Sequence, residues 1–418
     1  MITQIILEAW VALKRNYTRT FLTMLGIVWG IATVTLLIAY GSSFRQILVT
    51  GFDAFGKSVV ICWPQQTSEQ PGGQRAGKKV VFEQADVDMV KATAPLVKYA
   101  CLETVRRPGI AYGDRLVGTA AIRGVCPEYG EMRNEVPSEG RWIDSTDEIE
   151  RRRVVFLGGR IREQLFSGRP AVGETVQIDG VRFTVIGVMA RKIQMSNYFS
   201  SDDESAWIPY SAAGDLWNTR YGAVMVFSPV APQFEKKAMS QVLAAVATRQ
   251  QFSPTDPKAI QMFGRDEFRP VIDAITIGLE VLLTFIGALT LGIGGVGVMN
   301  IMLVSVEERI REIGLRRALG AKKSHIKLQF LAETLLIMLL GGLLGVFISY
   351  VVAAAVGTLP LMGPLVEDDS GKGDIHLHIS TATLAISTMV LLIVGVASGL
   401  VPALRASKLD PVEALRYE

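Results

Sequence analysis

The stretch Gly294–Ile326, GGVGVMNIMLVSVEERIREIGLRRALGAKKSHI, changes character half-way along. Up to Val306 it is small and apolar, suited to lipid. From Glu307 it carries Arg309, Arg311, Arg316, Arg317, Lys322 and Lys323, with Lys327 just beyond, against Glu307, Glu308 and Glu312. Ile310, Ile313, Leu315 and Ala318 recur at helical spacing among those charges, and Glu312 and Arg316 stand four apart, where opposite charges pair on a helix. Gly320 then supplies a stop. The pattern predicts a membrane helix, a short charged helix at the membrane face, and a second membrane helix. A short loop this basic stays on the cytoplasmic side. The interleaved acids go beyond what orientation alone needs, so the short helix reads as a docking element for lipid headgroups or for a protein.

Outward from this loop, four stretches are long and apolar enough to span a bilayer, which takes about 20 residues. They are Phe21–Tyr40, Ile275–Val306 (interrupted by Glu280), Leu328–Leu359 (interrupted by Glu333) and Ile379–Leu404. The first lacks a small-residue cleavage site and reads as an uncleaved helix. Lys14, Arg15 and Arg19 precede it, and Arg405, Lys408 and Arg416 follow the fourth, so both ends belong inside. The loop between spans three and four holds only Lys372 against Glu367, Asp368, Asp369 and Asp374 and belongs outside. The resulting segments are a cytoplasmic amphipathic helix at 1–19, spans at 20–42, 271–306, 326–359 and 379–404, an extracytoplasmic domain at 43–270, the charged cytoplasmic loop at 307–325, an outer loop at 360–378 and a cytoplasmic tail at 405–418. The second span, at about 48 Å of helix, exceeds the roughly 30 Å hydrocarbon core and is expected to project above it. Gly26/Gly30, Gly341/Gly345 and Gly395/Gly399 each form GxxxG, which lets helix backbones approach closely. Glu333 is the one acid well inside a span; it is expected to pair with a basic residue of the middle loop or to mark a transport path.

The composition agrees with a chain that is part membrane and part water-exposed. Hydrophobic residues make up 49% of the 418 and charged residues 20%, with 43 basic and 40 acidic side chains. Mean hydropathy is +0.32. That excludes a wholly soluble enzyme, and the number of charges excludes a chain buried entirely in lipid. A net charge of +3 does not suggest a nucleic-acid partner.

Within 43–270, strands are expected at Ser58–Trp63, Tyr99–Arg106, Arg115–Gly124, Tyr221–Phe227 and Ala259–Phe263. Helices are expected at Phe82–Ala94, with Val81, Val87 and Val90 facing a core, at Gly158–Phe166 and at Phe234–Gln251. Glu174–Ile178 and Val181–Val188 flank IDGV, a hairpin signal. The order β-α-β … β-α-β brackets a β-rich insert at 138–215. No GxSxG or HExxH motif appears, and His325, His376, His378 and the cysteines lack metal-ligand spacing. GFDAFGKS at 51–58 satisfies the phosphate-loop pattern, but that pattern works where a strand leads into the loop and a helix follows; here a membrane helix precedes and VVICW follows. Lys57 is therefore not read as a nucleotide ligand. Cys62, Cys101 and Cys126 all fall in the outer domain, where one disulfide in any of three pairings, or none, is open.

The segment 295–321, the third-span sequence FLAETLLIMLLGGLLG at 330–345 and the tail VPALRASKLDPVEALRYE at 401–418 together resemble the macrolide-exporter (MacB-like) and FtsX-like permeases of ABC transporters. The resemblance implies an α+β membrane protein of the bacterial inner membrane: four transmembrane helices with a large mixed α/β extracytoplasmic domain. That domain would consist of a porter-like part at 58–137 and 216–270 with a sabre-like insert at 138–215. It implies that Glu307, Glu308, Arg309, Arg311, Glu312, Ile313, Gly314, Arg316, Arg317 and Gly320 form the helix that couples the permease to a cytoplasmic ATPase, with Ile310, Ile313 and Leu315 as apolar anchors for that partner. ATP would be bound by two copies of a separate ATPase subunit, because the chain starts about 20 residues before the first span; the permease itself would hold no cofactor or metal. Its remaining partners would be a second permease chain, more readily a homodimer than a heterodimer, a periplasmic adaptor and an outer-membrane channel. The function implied is export of a drug, peptide, lipid or lipoprotein from the periplasm. A non-transporting relay that controls a cell-wall hydrolase, or lipoprotein release, shares the architecture.

Overall fold

The computed structural model describes residues 17–53, 56, 59–68, 76–190, 192, 198–361 and 373–416. The amphipathic segment expected at 1–19 lies almost wholly outside them, as does Lys57. The described chain forms two compact units.

Helix α1 (Tyr17–Asp53) carries the first apolar stretch and continues thirteen residues beyond Tyr40. The following elements build the outer unit: β1 (Val60–Pro64), α2 (Gln84–Thr93), β2 (Val97–Arg106), β3 (Ile110–Tyr112), β4 (Arg115–Val117), β5 (Ala121–Val125), α3 (Tyr129–Arg133), β6 (Pro137–Gly140), α4 (Ser145–Ile149), β7 (Val154–Leu157), α5 (Gly159–Phe166), β8 (Thr175–Ile178), β9 (Val181–Met189), β10 (Ser205–Pro209), α6 (Tyr210–Ala213), β11 (Val224–Pro229), α7 (Glu235–Gln250) and β12 (Ile260–Phe263). The strands form a mixed sheet in the order β12-β1-β11-β2-β5-β10-β7-β9-β8-β3-β4, with β6 also paired to β9. Only β5/β10 and β7/β9 are parallel among these pairs.

Strand alternation decides the packing. Val60 and Cys62 of β1, Ala100 and Leu102 of β2, and Met225 and Phe227 of β11 join one core, closed by Val87 and Val90 of α2 and Ala238, Val242 and Val246 of α7. The intervening Ile61, Cys101, Val224 and Val226 point into another cluster with Tyr129, Phe156 and Trp207. A further core under α5 gathers Val155, Leu157, Ile161, Leu165, Phe183 and Ile208. It also takes Ile110, Ala120 and Ile122 from before residue 138. The expected cut at 137/138 therefore falls inside β6 and does not separate the cores, because β5 pairs with β10 of the insert.

Two local expectations are corrected, and one open question is answered. Arg115–Gly124 is two strands, since β4 turns back on β3 at one edge of the sheet and β5 lies further in, between β2 and β10. Val81 is not a core residue of α2; Val80 and Phe82 on either side of it are fully buried instead. Of the three possible pairings, the disulfide is Cys101–Cys126, leaving Cys62 buried and free. The IDGV turn joins β8 to β9 as an antiparallel hairpin. Asp179 and Gly180 both have positive φ (48° and 79°), the geometry of a two-residue turn that matches strand twist.

The second unit holds most of α8 (Arg265–Glu308), with α9 (Ile310–Ala318), α10 (Lys323–Val356), the small β13 (Thr358–Leu359) and β14 (Ile375–His376) pair, α11 (Thr381–Lys408) and α12 (Pro411–Arg416). Among the described residues, four helices are long and apolar enough to cross a membrane: those containing 24–51, 269–308, 323–356 and 381–408. Helix α8 has 44 residues, about 66 Å at 1.5 Å per residue. Glycines sit where these helices touch. A Cβ on Gly30 would lie 2.9 Å from Leu291 Cα on α8, and one on Gly26 would lie 3.5 Å from Gly294 Cα. Gly341 and Gly345 of α10 face Ile27 and Ile31 of α1; Gly395 and Gly399 of α11 face Met338 and Thr334 of α10. Thr35 Oγ1 donates to Ser387 Oγ at 3.2 Å, a polar link between α1 and α11.

Candidate functional site

The charged loop folds as a short helix fastened on one side. Arg309 breaks the helix between α8 and α9 with φ −112° and ψ 16°. Its guanidinium turns inward, 3.4 Å from Glu333 Oε2 on α10. Glu333 is 5% exposed, so this acid ties the loop to the third membrane helix. Glu307, at the end of α8, lies 3.4 Å from Arg405 of α11. Arg317 Nη1 donates to the Ser407 carbonyl at 2.8 Å, and Arg316 Nη1 to Gln329 Oε1 at 2.9 Å. Glu312 and Arg316 pair at 2.7 Å on the outer surface, a contact worth little by itself in water. Past α9, Gly320 adopts φ 98°, and Ala321 N donates back to Arg316 O. That left-handed glycine caps the helix.

Ile313 is corrected by this geometry. It is 3% exposed and belongs to the buried cluster of Val306, Ile326, Phe330 and Ala406. It anchors the helix inside the chain and has no face for a partner. Gly314 beside it is buried against Ala414 of α12, where an added Cβ would come within 2.5 Å of the Ala414 Cβ. The apolar side chains turned outward are Leu315, 53% exposed, and Leu319, 81% exposed. They share the outer surface with Glu308, Arg311 and Glu312. Leu319 and the tail contact at Ala414 escaped the sequence reading. A helical face can be read from spacing, but which half of an amphipathic helix is covered depends on what packs there, and α12 is distant in sequence.

A second concentration of charge lies in the outer unit. Arg123 of β5 is fully buried and donates to Glu103 Oε1 (3.2 Å), Ser205 Oγ (3.1 Å) and the carbonyls of Tyr198 (3.0 Å) and Ser200 (2.8 Å). Arg133 lies 3.2 Å from Asp202, and Lys192 bridges Asp202 (2.8 Å) and Glu135 (3.0 Å). Tyr198 donates to Glu103 and meets Tyr129 hydroxyl to hydroxyl at 2.7 Å. Burial pushes the Asp202 carboxyl up, but Arg133, Lys192 and Arg123 overcome it and hold it well below the usual range. Glu135 goes the other way: burial, reinforced by the Asp202 charge, raises it to about 8 against Lys192 and Arg133. The three bases and three acids form one buried set, and none lies in an open cleft. The set joins β2, β5, α3 and the 198–202 segment. Isolated charges on strands carry no motif, so the sequence offered no signal for it.

The comparisons with known proteins fall on these same two regions. The family model for the MacB-like periplasmic core domain matches residues 20–246, and that for the FtsX-like permease C-terminal matches 284–411. This chain belongs to the MacB-like, FtsX-like permease family. It is a multi-pass inner-membrane protein with a periplasmic domain. Macrolide export ATP-binding/permease protein MacB of Hahella chejuensis is 31% identical over 411 residues, covering 98% of this chain and 59% of that protein. The MacB of Bdellovibrio bacteriovorus is 30% identical over 410 residues, covering 97% and 60%. The permease chain thus spans about 60% of the length of the curated relatives it matches. Among solved structures, the periplasmic region of MacB from Actinobacillus actinomycetemcomitans aligns with 55% of this chain and 98% of its own, with TM-score 0.42 and 15% identity.

Proposed function

We propose that this chain is the permease of an ABC-type exporter, in which a separate cytoplasmic ATPase docks on α9 and its closure on ATP is passed through the long helices to the periplasmic domain. The observation that carries the reading is the orientation of α9. Its inner side is fastened by Ile313, Gly314, Arg309 and Arg317, while Leu315 and Leu319 stand exposed among Glu308, Arg311 and Glu312. Apolar knobs ringed by both signs of charge suit a protein groove better than lipid headgroups: buried anchors carry affinity and rim charges guide approach. The relatives' name joins ATP binding to permease activity, and the families that this chain matches are a periplasmic core domain and a permease C-terminal domain. Two ATPase copies would serve a homodimer of permeases, with an adaptor and an outer-membrane channel receiving the substrate.

Lys57 plays no part in this reading. The pattern at 51–58 begins in the last turn of α1 and is followed by β1, the reverse of the strand-loop-helix order a phosphate cradle needs. The test is copurification of an ABC-type ATPase subunit with the full chain in nanodiscs, with Leu315→Asp, Leu319→Asp and Lys57→Ala compared. The two leucine variants are expected to lose the subunit and its stimulated ATP hydrolysis, and Lys57→Ala to keep both. Full retention in both leucine variants would remove α9 as the docking element.

A further inference from the structure

The tail helix α12 is not explained by the docking of α9 alone. It is six residues long, too short to be stable in isolation, yet its Ala414 is 2% exposed. Asp410 starts it, its Oδ1 accepting from Val412 N at 2.8 Å and its carbonyl from Ala414 N at 2.9 Å. Against Ala414 stands Gly314, in the interior of α9, where a glycine weakens a helix relative to alanine. The close approach accounts for that choice: the alanine methyl occupies the space a side chain at 314 would need. The other side of α12 is uncovered. Val412 is 67% exposed and Glu413 is exposed. The same junction is stitched by Arg317 to the Ser407 carbonyl and by Arg405 to Glu307. Helix α12 thus seats α9 at Gly314 and leaves Val412 and Glu413 exposed to solvent.

We propose that α12 is the second half of the ATPase-docking surface: Ala414, seated against Gly314, positions α9, and Val412 and Glu413 extend the face that Leu315 and Leu319 present. The inference rests on the docking reading given above and adds a second element to it. The partner it fits is a cytoplasmic ABC-type ATPase whose groove is wide enough for two adjoining helices, with an apolar floor and basic as well as acidic rim residues.

The test uses the full chain in nanodiscs and the ATPase subunit that copurifies with it, fluorescently labelled, with affinity read by titration. Gly314→Ala places two methyl groups 2.5 Å apart and is expected to weaken binding about tenfold. Gly314→Ala combined with Ala414→Gly moves the methyl group to the other helix and is expected to restore most of that affinity, which a general loss of folding would not allow. Val412→Asp alters an exposed position, so it should leave membrane insertion and thermal stability unchanged while weakening binding about tenfold. Wild-type affinity in Val412→Asp, or no rescue by the exchange, with Leu319→Asp still defective, would overturn the role of α12 and leave the docking of α9 standing. Wild-type affinity in Leu319→Asp would overturn the docking reading and this inference with it.

Discussion

Replacing Arg123 with Met tests whether the buried charges hold the periplasmic unit together. Methionine matches the stem of the side chain and fills most of its volume, so the change removes charge and hydrogen bonds more than packing. The guanidinium, fully buried, meets Glu103, Ser205, Tyr129, Ser200 and the Tyr198 carbonyl. Its loss leaves Glu103 fully buried, accepting a hydrogen bond from the Tyr198 hydroxyl. Removing one partner of a buried ion pair costs about 3–5 kcal/mol, because the remaining charge stays desolvated. Adding Glu103→Gln removes that stranded charge and is expected to recover about 1–3 kcal/mol of the loss. Hydrogen exchange on the full chain in nanodiscs, followed in peptides covering β2 and β5, reports the opening free energy of the strands concerned. A loss below about 1 kcal/mol in Arg123→Met, or a double variant less stable than the single one, would refute the reasoning, since either result means that the charges are not compensating one another.

Glu135 should make the same region pH-sensitive. Its carboxyl is near 8 in the fold and near the ordinary carboxylate value when unfolded, so the folded state holds the extra proton between the two; stability from this group is full below the unfolded value and is lost as pH rises towards 8. Glu135→Gln is expected to flatten that fall, measured by exchange in the 133–135 region of the full chain between pH 5 and about 8.5. Reducing Cys101–Cys126, which closes a loop of 25 residues, should cost about 3–4 kcal/mol in the same assay. Gly345→Val forces a side chain against Ile31 and within 2.9 Å of the Val28 carbonyl; a loss of about 1–3 kcal/mol and a lower melting temperature in detergent are expected. Ile313→Asp should lower the yield of folded chain rather than weaken a partner selectively, because it buries an unpaired carboxylate within the membrane unit; a normally folded Ile313→Asp chain would contradict its placement.

What could be read from the chain alone followed from short-range physics. Twenty apolar residues need lipid, Lys and Arg in short loops set a side, IDGV makes a tight turn, and the stretches Ser58–Trp63 and Tyr221–Phe227 read as strands. The same reasoning marked 307–320 as a charged helix with a stop at Gly320. Three-dimensional contact decided the rest. Spacing showed that α9 has an apolar face; only its packing on Val306, Ile326, Phe330 and Ala406, with α12 against Gly314, turned Ile313 inward and left Leu315 and Leu319 outside. Three cysteines allowed three pairings until the fold brought β2 beside the end of β5. Arg123, Arg133, Glu103 and Asp202 are scattered over a hundred residues without a motif, because a buried ion pair is selected by desolvation and geometry across strands rather than by spacing along one of them. The boundary within the periplasmic domain was misplaced for a related reason: hydrogen bonding of β5 to β10 merges what sequence order keeps apart, and non-local pairing leaves no trace in a local pattern.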